Sequence, residues 1–335
     1  MDDLKFSICI PTYNMGRYLK RTLEDVFAQS YGNFEIVISD NASTDNTGEI
    51  VTNIFDPRLR YFKNEKNLGY SANLDLCKQR ASGDIIYLLS AKSRISRDAL
   101  KKTYQAFMLD EDIGVVTRPY YWFAGDINQP VRAKESIGAG KIAVLTNESD
   151  VKEIIKMFHT LDNPAGLAFR RKWMDQPFGQ DAFVEFTYPF ARILKYHKVA
   201  VLGDYVMACP AFSYSGSQDK RVYDKSPMQC WIDMFNTVFS EPEFKSLRKT
   251  CIRDFVAVNY IGLVQIRNYA RRYSFLLREI GLLLKYRPKN LLNPKFWFFV
   301  FVTMLVPKFL LKRLVVWYKK GINGSILKDR VSLAV

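Results

Sequence analysis

Several side chains along this sequence have a type and a setting that could do chemistry. Asp40 closes the apolar run Phe34–Ser39. An acid at the C-terminal end of a buried strand stands at the mouth of a ligand crevice, where a planar amide or imide edge needs a fixed acceptor. The same stretch, Asp40 to Asp45 (DNASTD), is also good turn and N-cap chemistry. Lys92 and Arg94 follow a second apolar run, Asp84–Leu89. Fixed cations in that place can neutralise a developing negative charge, and they would repel a hard divalent cation, which needs oxygen ligands. Asp181 and Glu185 are spaced to share one face of a helix expected over 181–194. An acid at a helix N-terminus is also favoured by the helix dipole alone. His159 and His197 lie beside element ends without partners nearby in sequence and read as structural. The five cysteines are scattered and never spaced C-x-x-C, so they suggest neither a disulfide framework nor a zinc site.

These residues need a scaffold, and the hydrophobic pattern supplies one. Strands are expected at Lys5–Pro11, Phe34–Ser39, Leu59–Phe62 and Asp84–Leu89, with helices at Arg17–Ser30, Thr47–Phe55 and Ser71–Arg80 between them. Strand and helix alternation places residues 1 to about 120 in a doubly wound α/β domain, whose ligands bind beyond the carboxyl ends of the strands. From Ile113 to Val206 the pattern is mixed, with strands at Gly114–Thr117, Gly166–Phe169 and Lys198–Leu202 around helices at Asp150–Phe158 and Asp181–Leu194. Tyr120–Phe123 could form an aromatic wall to a ligand site, although core packing is the plainer reading.

A chain of 335 residues, 48% hydrophobic and 25% charged, can build one large core with an appendage or two modest domains. Its net charge of +15 is unevenly placed. Lys245 to Lys320 holds 17 basic residues against two acids, whereas residues 1–244 are close to neutral. Within that basic quarter, Phe296–Val306 is an apolar run of 11 residues. A membrane-spanning helix needs about 20. Apolar faces then resume at Phe309–Leu311 and Leu314–Trp317 between lysines and Arg313, the composition of a helix lying in a headgroup plane. Solvated lysines on a core helix are the plainer alternative. Interleaved apolar runs argue against a nucleic-acid partner. Met1–Phe6 carries no secretory signal.

Four segments in order, Ser7–Asn14 (SICIPTYN), Ile36–Thr47 (IVISDNASTDNT), Asn67–Asn73 (NLGYSAN) and Ala81–Asp84 (ASGD) before an apolar strand, resemble the N-terminal half of family 2 glycosyltransferases of the GT-A fold. The likeness is close over about residues 5–105, and the style is similar to enzymes that assemble bacterial surface polysaccharides such as O-antigen. The resemblance implies that Pro11, Thr12, Tyr13, Asn14, Asp40 and Asn41 hold the nucleotide of a sugar donor, with Asn67, Gly69 and Asn73 lining the nucleotide or ribose pocket. Asp45 and Thr47 read as local caps. The family usually carries a metal-binding aspartate cluster where this chain has Ser90-Ala91-Lys92-Ser93. No metal or other cofactor is therefore expected, with Mg²⁺ and Mn²⁺ disfavoured, and Lys92, then Arg94, would act on the donor diphosphate instead. Lys220 and Arg221 sit where a C-terminal loop of such enzymes closes over the diphosphate. The family's base is an Asp or Glu in the second half, for which Asp181, then Glu185, is the match.

The expected architecture is an α/β GT-A fold, a doubly wound mixed sheet with helices on both faces, over residues 1–235 (nucleotide half 1–120, acceptor half 121–235), followed by a basic amphipathic helical membrane-associating region at 236–335. The expected activity is inverting transfer of a single sugar from a nucleotide-sugar donor to a lipid-linked, polyprenyl-diphosphate saccharide. The setting would be O-antigen or other surface-polysaccharide synthesis, with the protein peripheral on the cytoplasmic face of the inner membrane and held to anionic lipid by its C-terminal helices. The Q-x-x-R-W motif of processive members is absent. The alternative is a non-catalytic relative that keeps the fold as a membrane-bound assembly partner.

Overall fold

The computed structural model describes residues 3–181, 183–211 and 220–321, together with Val331 and Leu333. The first strands are β1 (Phe6–Thr12), β2 (Phe34–Asp40), β3 (Leu59–Lys63) and β4 (Ile85–Leu88), alternating with α1 (Gly16–Phe27), α2 (Thr47–Thr52) and α3 (Tyr70–Arg80). Then come β5 (Arg94–Ile95), α4 (Ala99–Phe107), β6 (Ile113–Thr117), β7 (Tyr121–Ala124), β8 (Asp126–Ala133), β9 (Ile142–Leu145), α5 (Val151–Phe158) and β10 (Ala168–Arg170). α6 (Thr187–Tyr196), β11 (Lys198–Leu202) and β12 (Met207–Pro210) complete the sheets. Six helices follow: α7 (Pro227–Val238), α8 (Lys245–Asp254), α9 (Ile261–Tyr269), α10 (Ser274–Tyr286), α11 (Pro294–Leu305) and α12 (Lys308–Gly321).

The large sheet has eight strands in the order β3-β2-β1-β4-β10-β6-β11-β9. β1 pairs in parallel with both β2 and β4, while β10 runs antiparallel to its two neighbours. The chain therefore moves outward from β1 to β3 on one side and restarts on the other side at β4. That reversal opens a crevice at the carboxyl ends of β1 and β4. β1, β2, β4 and β6 are buried along their whole length, as a parallel sheet covered on both faces requires.

Alternation along each strand sorts the core. Ile8, Ile10, Ile36, Ile38 and Tyr87 face α1 and α4 through Leu19, Leu23, Leu100 and Phe107. Cys9, Val37, Ile86, Val115 and Phe169 turn to the opposite face, beneath α3, α5 and α6. This second core continues without a break through Phe235, Cys251 and Leu283 to Phe296 and Val300. The C-terminal helices are thus packed on the α/β core, and a boundary at 235/236 falls inside α7.

A second sheet, β5-β12-β7-β8, was not foreseen from the sequence. Its strands are two to eight residues long. Ala208 pairs with Arg94 and with Tyr121, and Cys209 with Trp122. Tyr121 and Phe123 bury one face with Ala208, Val331 and Leu333. Trp122 and Cys209 belong to the other.

Candidate active site

The β1 and β2 ends are tied together by a network that begins with two unusual backbone conformations. Asn14 and Ala42 both have positive φ, at 52° and 64°. Asn tolerates that region, whereas Ala stores about 1–2 kcal/mol of strain there. The geometry lets the two loops interlock. Asn14 N–H donates to Ser43 Oγ at 2.8 Å, and Asn14 Oδ1 accepts from Thr44 N–H at 2.8 Å. Asp45 accepts from Thr47 N–H at 3.0 Å and from Gly16 N–H at 3.1 Å, so it caps the starts of α2 and α1 together. Gly16 is required by this closeness, because a Cβ there would fall 2.1 Å from Asn46 Oδ1.

Asp40 is fully buried. Its Oδ1 accepts from Ser43 N–H at 2.8 Å and its Oδ2 from the Tyr61 hydroxyl at 2.6 Å. Asn41 donates to Asn67 Oδ1 at 2.8 Å and to Gly69 O at 3.1 Å, and its Oδ1 accepts from Leu68 N–H at 2.9 Å. Gly69, at φ 85°, turns the chain into α3. Asn73 is also buried, with Oδ1 accepting from Ser39 at 2.7 Å and Nδ2 donating to Ser39 O at 2.8 Å. Asn64 links them, its Nδ2 donating to Asn41 Oδ1 at 3.2 Å and Asn73 Oδ1 at 3.0 Å and its N–H to Asp40 O at 2.8 Å, so Asp40, Asn41, Asn67 and Asn73 belong to one bonded frame around the crevice. Pro11 and Thr12 are buried at the end of β1, while Tyr13 and Asn14 are partly exposed. The Thr12 hydroxyl has no hydrogen-bond partner, which leaves a buried polar atom at the crevice mouth for a ligand to satisfy.

Beyond β4, Lys92 and Arg94 separate. Arg94 is committed to a bidentate ion pair with Asp25 of α1, Nε to Oδ2 at 2.5 Å and Nη2 to Oδ1 at 2.7 Å, with both side chains nearly out of solvent. That guanidinium holds α1 against the start of β5. Lys92 stays at the end of β4, partly exposed, and burial lowers its pKa from the ordinary lysine value. Ser90, Ala91, Lys92 and Ser93 offer hydroxyls and an ammonium but no carboxylate, which does not suit a hard divalent cation. Among the described residues no three His, Cys, Asp or Glu side chains gather as a metal site.

Asp181 and Glu185 are brought together, but not on a helix. Both lie in a turn before α6, which begins at Thr187. Val184 N–H bonds to Asp181 O at 3.0 Å, and Gly179 N–H closes the turn on Glu185 O at 2.9 Å. The turn is pinned to α3 by Asp75 Oδ1, which accepts from Phe178 N–H at 3.0 Å, and by Lys78, which donates to Gln176 O at 2.7 Å. Tyr70, at the start of α3, comes within electrostatic reach of Glu185. Asp181 is half-buried and accepts from the Tyr188 hydroxyl at 2.9 Å. Glu185 is only 5% exposed, and burial, reinforced by Asp181, pushes its pKa up to about 7. A carboxyl that titrates near neutrality beside a ligand crevice suits proton transfer.

Lys220 and Arg221 stand in the short 3₁₀ turn Lys220–Asp224, and their side chains lie outside the described residues. Sequence reasoning passed over Arg118, Arg132 and Lys134. Arg118 directly follows the buried strand β6, as Asp40 closes β2, and that position was the available signal.

The fold is that of GT-A glycosyltransferases. Staphylococcus aureus TarS 1–349 in complex with UDP-GlcNAc superposes with a TM-score of 0.66 at 16% identity, covering 96% of this chain and 95% of that one. A mannosyltransferase from Pyrobaculum calidifontis, in complex with GDP-Man and Mn²⁺, gives 0.52 at 15% identity, covering 91% and 87%. Residues 7–171, just under half of the chain, match the family model described as glycosyl transferase family 2. Among curated relatives, a Haemophilus influenzae uncharacterized glycosyltransferase is 35% identical over 119 residues, 35% of this chain and 47% of its own length. Glycosyltransferase GlyG of Streptococcus pneumoniae is 31% identical over 117 residues, 34% and 38% of the two lengths. Abequosyltransferase RfbV of Salmonella typhimurium is 36% identical over 99 residues, 28% and 30%. The chain thus spans less than half the length of each of these curated relatives.

Proposed function

We propose that this protein is an inverting glycosyltransferase that moves a single sugar from a nucleotide-sugar donor to a lipid-linked saccharide in bacterial surface-polysaccharide synthesis. The observation that carries the reading is the pairing of the β1–β4 crevice, framed by the family motifs, with the adjacent acids Asp181 and Glu185, of which the buried Glu185 has its pKa pushed up to about 7. The nucleotide enters at Pro11–Asn14, where the Thr12 hydroxyl is unpartnered. Asp40, Asn41, Asn67, Gly69 and Asn73 hold the shape of that pocket through the bonded frame that includes Ser39, Ser43, Tyr61 and Asn64. Asp181, the more exposed acid, takes the proton of the acceptor hydroxyl as that oxygen attacks the anomeric carbon opposite the leaving diphosphate. Lys92 balances charge on the leaving diphosphate, the task a metal performs in relatives with a carboxylate cluster, so turnover proceeds without one.

The acceptor is assigned to a membrane on the strength of the C-terminal helices. Phe298, Phe301 and Leu305 of α11 are exposed on one side, and Leu292, Phe309, Leu310 and Leu314 are exposed close by in the chain. Lysines and arginines interleave with them. No helix among the described residues is long and apolar enough to cross a membrane. Such a surface suits insertion into the headgroup region of an anionic leaflet, and the reading puts the protein peripherally on the cytoplasmic face, where a polyprenyl-diphosphate acceptor would be found. The test is release of nucleoside diphosphate from a panel of nucleotide sugars, with and without a bacterial lipid extract, in EDTA. Release that depends on the extract supports the reading. No release from any donor, with EDTA or with Mn²⁺, favours the non-catalytic assembly partner.

A further inference from the structure

The second sheet carries a group of cations that the reading above leaves unused. Arg118 is wholly buried. Its Nη1 donates to Thr160 O at 3.2 Å and its Nη2 to Asn163 O at 2.8 Å and to Ala165 O, while Nε has no partner. None of these partners is an acid. A guanidinium buried among carbonyls is costly to keep; Asp162 is within its electrostatic reach but bonds to Tyr120 and Lys134, and burial lowers the Arg118 pKa.

From Arg118 a file of rings and cations runs outward. Its guanidinium lies 5.1 Å from the Tyr120 ring, Tyr120 lies 4.6 Å from Trp122, and Arg132 stacks 3.5 Å over Trp122. Lys134 is 5.6 Å from the same Trp122 ring. Strand register sets Trp122 between Cys209 and Arg132, and sets Ala208 beside Arg94. Lys92, two residues before Arg94, therefore comes to the Cys209 end of this row. Lys92, Arg118 and Arg132 all lie within electrostatic reach of the Cys209 thiol. Asp162 is the acid of the group, taking the Tyr120 hydroxyl and Lys134 Nζ at 2.7 Å. Arg132 is exposed and makes no ion pair among the described residues.

We propose that Lys92 and Arg132, with Arg118 buried behind them, form a diphosphate-binding wall that works without a divalent metal. The inference rests on the glycosyltransferase reading and extends it. Trp122 holds the Arg132 fork flat, so that its paired N–H groups are presented in the geometry that suits phosphate oxygens. Arg118 does not touch the ligand and acts as a positioning residue through its field. The diphosphate could belong to the nucleotide donor or to a prenyl-diphosphate acceptor, and the two share one chemistry.

Calorimetric titration in EDTA of the full chain and of Arg132→Gln tests this, with inorganic pyrophosphate, UDP, GDP, uridine and farnesyl diphosphate as probes. Arg132 is exposed, so an unchanged melting temperature should verify the variant's fold. The expected result is a loss of about tenfold or more in pyrophosphate affinity, the weight of one charge-assisted hydrogen bond, with uridine unaffected. A parallel loss for UDP or GDP assigns the wall to the donor. A parallel loss for farnesyl diphosphate alone assigns it to the acceptor. Equal affinities in the two proteins overturn the wall while nucleotide binding keeps the glycosyltransferase reading. Failure of the unmodified chain to bind any of the diphosphates overturns both.

Discussion

Arg94 and Lys92 stand two positions apart and have different work. The near-buried Arg94–Asp25 pair means that Arg94→Ala strands a carboxylate, at a cost of about 3–5 kcal/mol. Urea denaturation should show that loss, while nucleotide affinity in the folded fraction stays close to normal. Sequence spacing alone could not separate these two cations, because Asp25 lies on another element, 69 residues earlier. Asp40 was legible as a site residue by type and place, yet its two oxygens serve the frame, a fact set by Tyr61 from the neighbouring strand. At the acid pair, Asp181→Asn should lower turnover by about 10²–10⁴-fold with donor affinity retained. If Asp181→Asn keeps full turnover and Glu185→Gln loses it, Glu185 is the base. Glu185 also has a stability signature. Its folded pKa, about 7, is raised above the ordinary glutamate value, so its contribution is fully present below about pH 4.5 and lost as pH rises through 7. Glu185→Gln should then be the more stable protein at pH 8.5, by up to about 3 kcal/mol, and lose that advantage at pH 5.

At the scale of elements, the parallel half of the large sheet was readable because strands buried on both faces are continuous apolar runs. β1 to β4 fall within about two residues of their expected places, and β11 matches. α6 begins six residues later than expected. A helix from Asp181 would have put Pro189 in its interior, without an N–H and against the carbonyl of Glu185; beginning at Thr187, the helix has that proline in its first turn. The second sheet escaped notice because its strands are short and pair across long separations in sequence. Pattern within a window cannot register such pairings. One element carries a prediction of its own. Ala42 sits at positive φ in the loop after β2, so Ala42→Gly should be neutral or stabilising by up to about 1 kcal/mol in thermal melts, against the usual cost of introducing glycine.

For the whole molecule, the uneven charge and the uncovered apolar helices point the same way. Residues 1–244 are near neutral, and the basic excess belongs to the helices that expose phenylalanine and leucine. Those helices are not a detachable tail. Glu279 of α10 is buried against the start of α7, bonding to the Ser226 hydroxyl and accepting from Met228 N–H at 3.1 Å. Arg271 pairs with Asp224, and Tyr223 stacks on Tyr269 at 4.9 Å. A membrane-docked C-terminal unit would therefore hold the crevice at a set distance from the lipid. Flotation with vesicles containing anionic lipid should carry the protein upward at low salt and release it as salt rises, and Phe298→Ser with Phe301→Ser should weaken the binding without altering the melting temperature. Equal flotation with neutral vesicles would contradict the electrostatic part.

The central claim is a donor site that works without a metal, and a thermal-shift screen against nucleotides and nucleotide sugars, each in EDTA and again with Mn²⁺, tests it most directly. Ligand that binds the folded state raises the midpoint by mass action. The account predicts stabilisation by one nucleotide family, equal in the two conditions, which also names the base. A shift that requires Mn²⁺, or none across the panel, would contradict it.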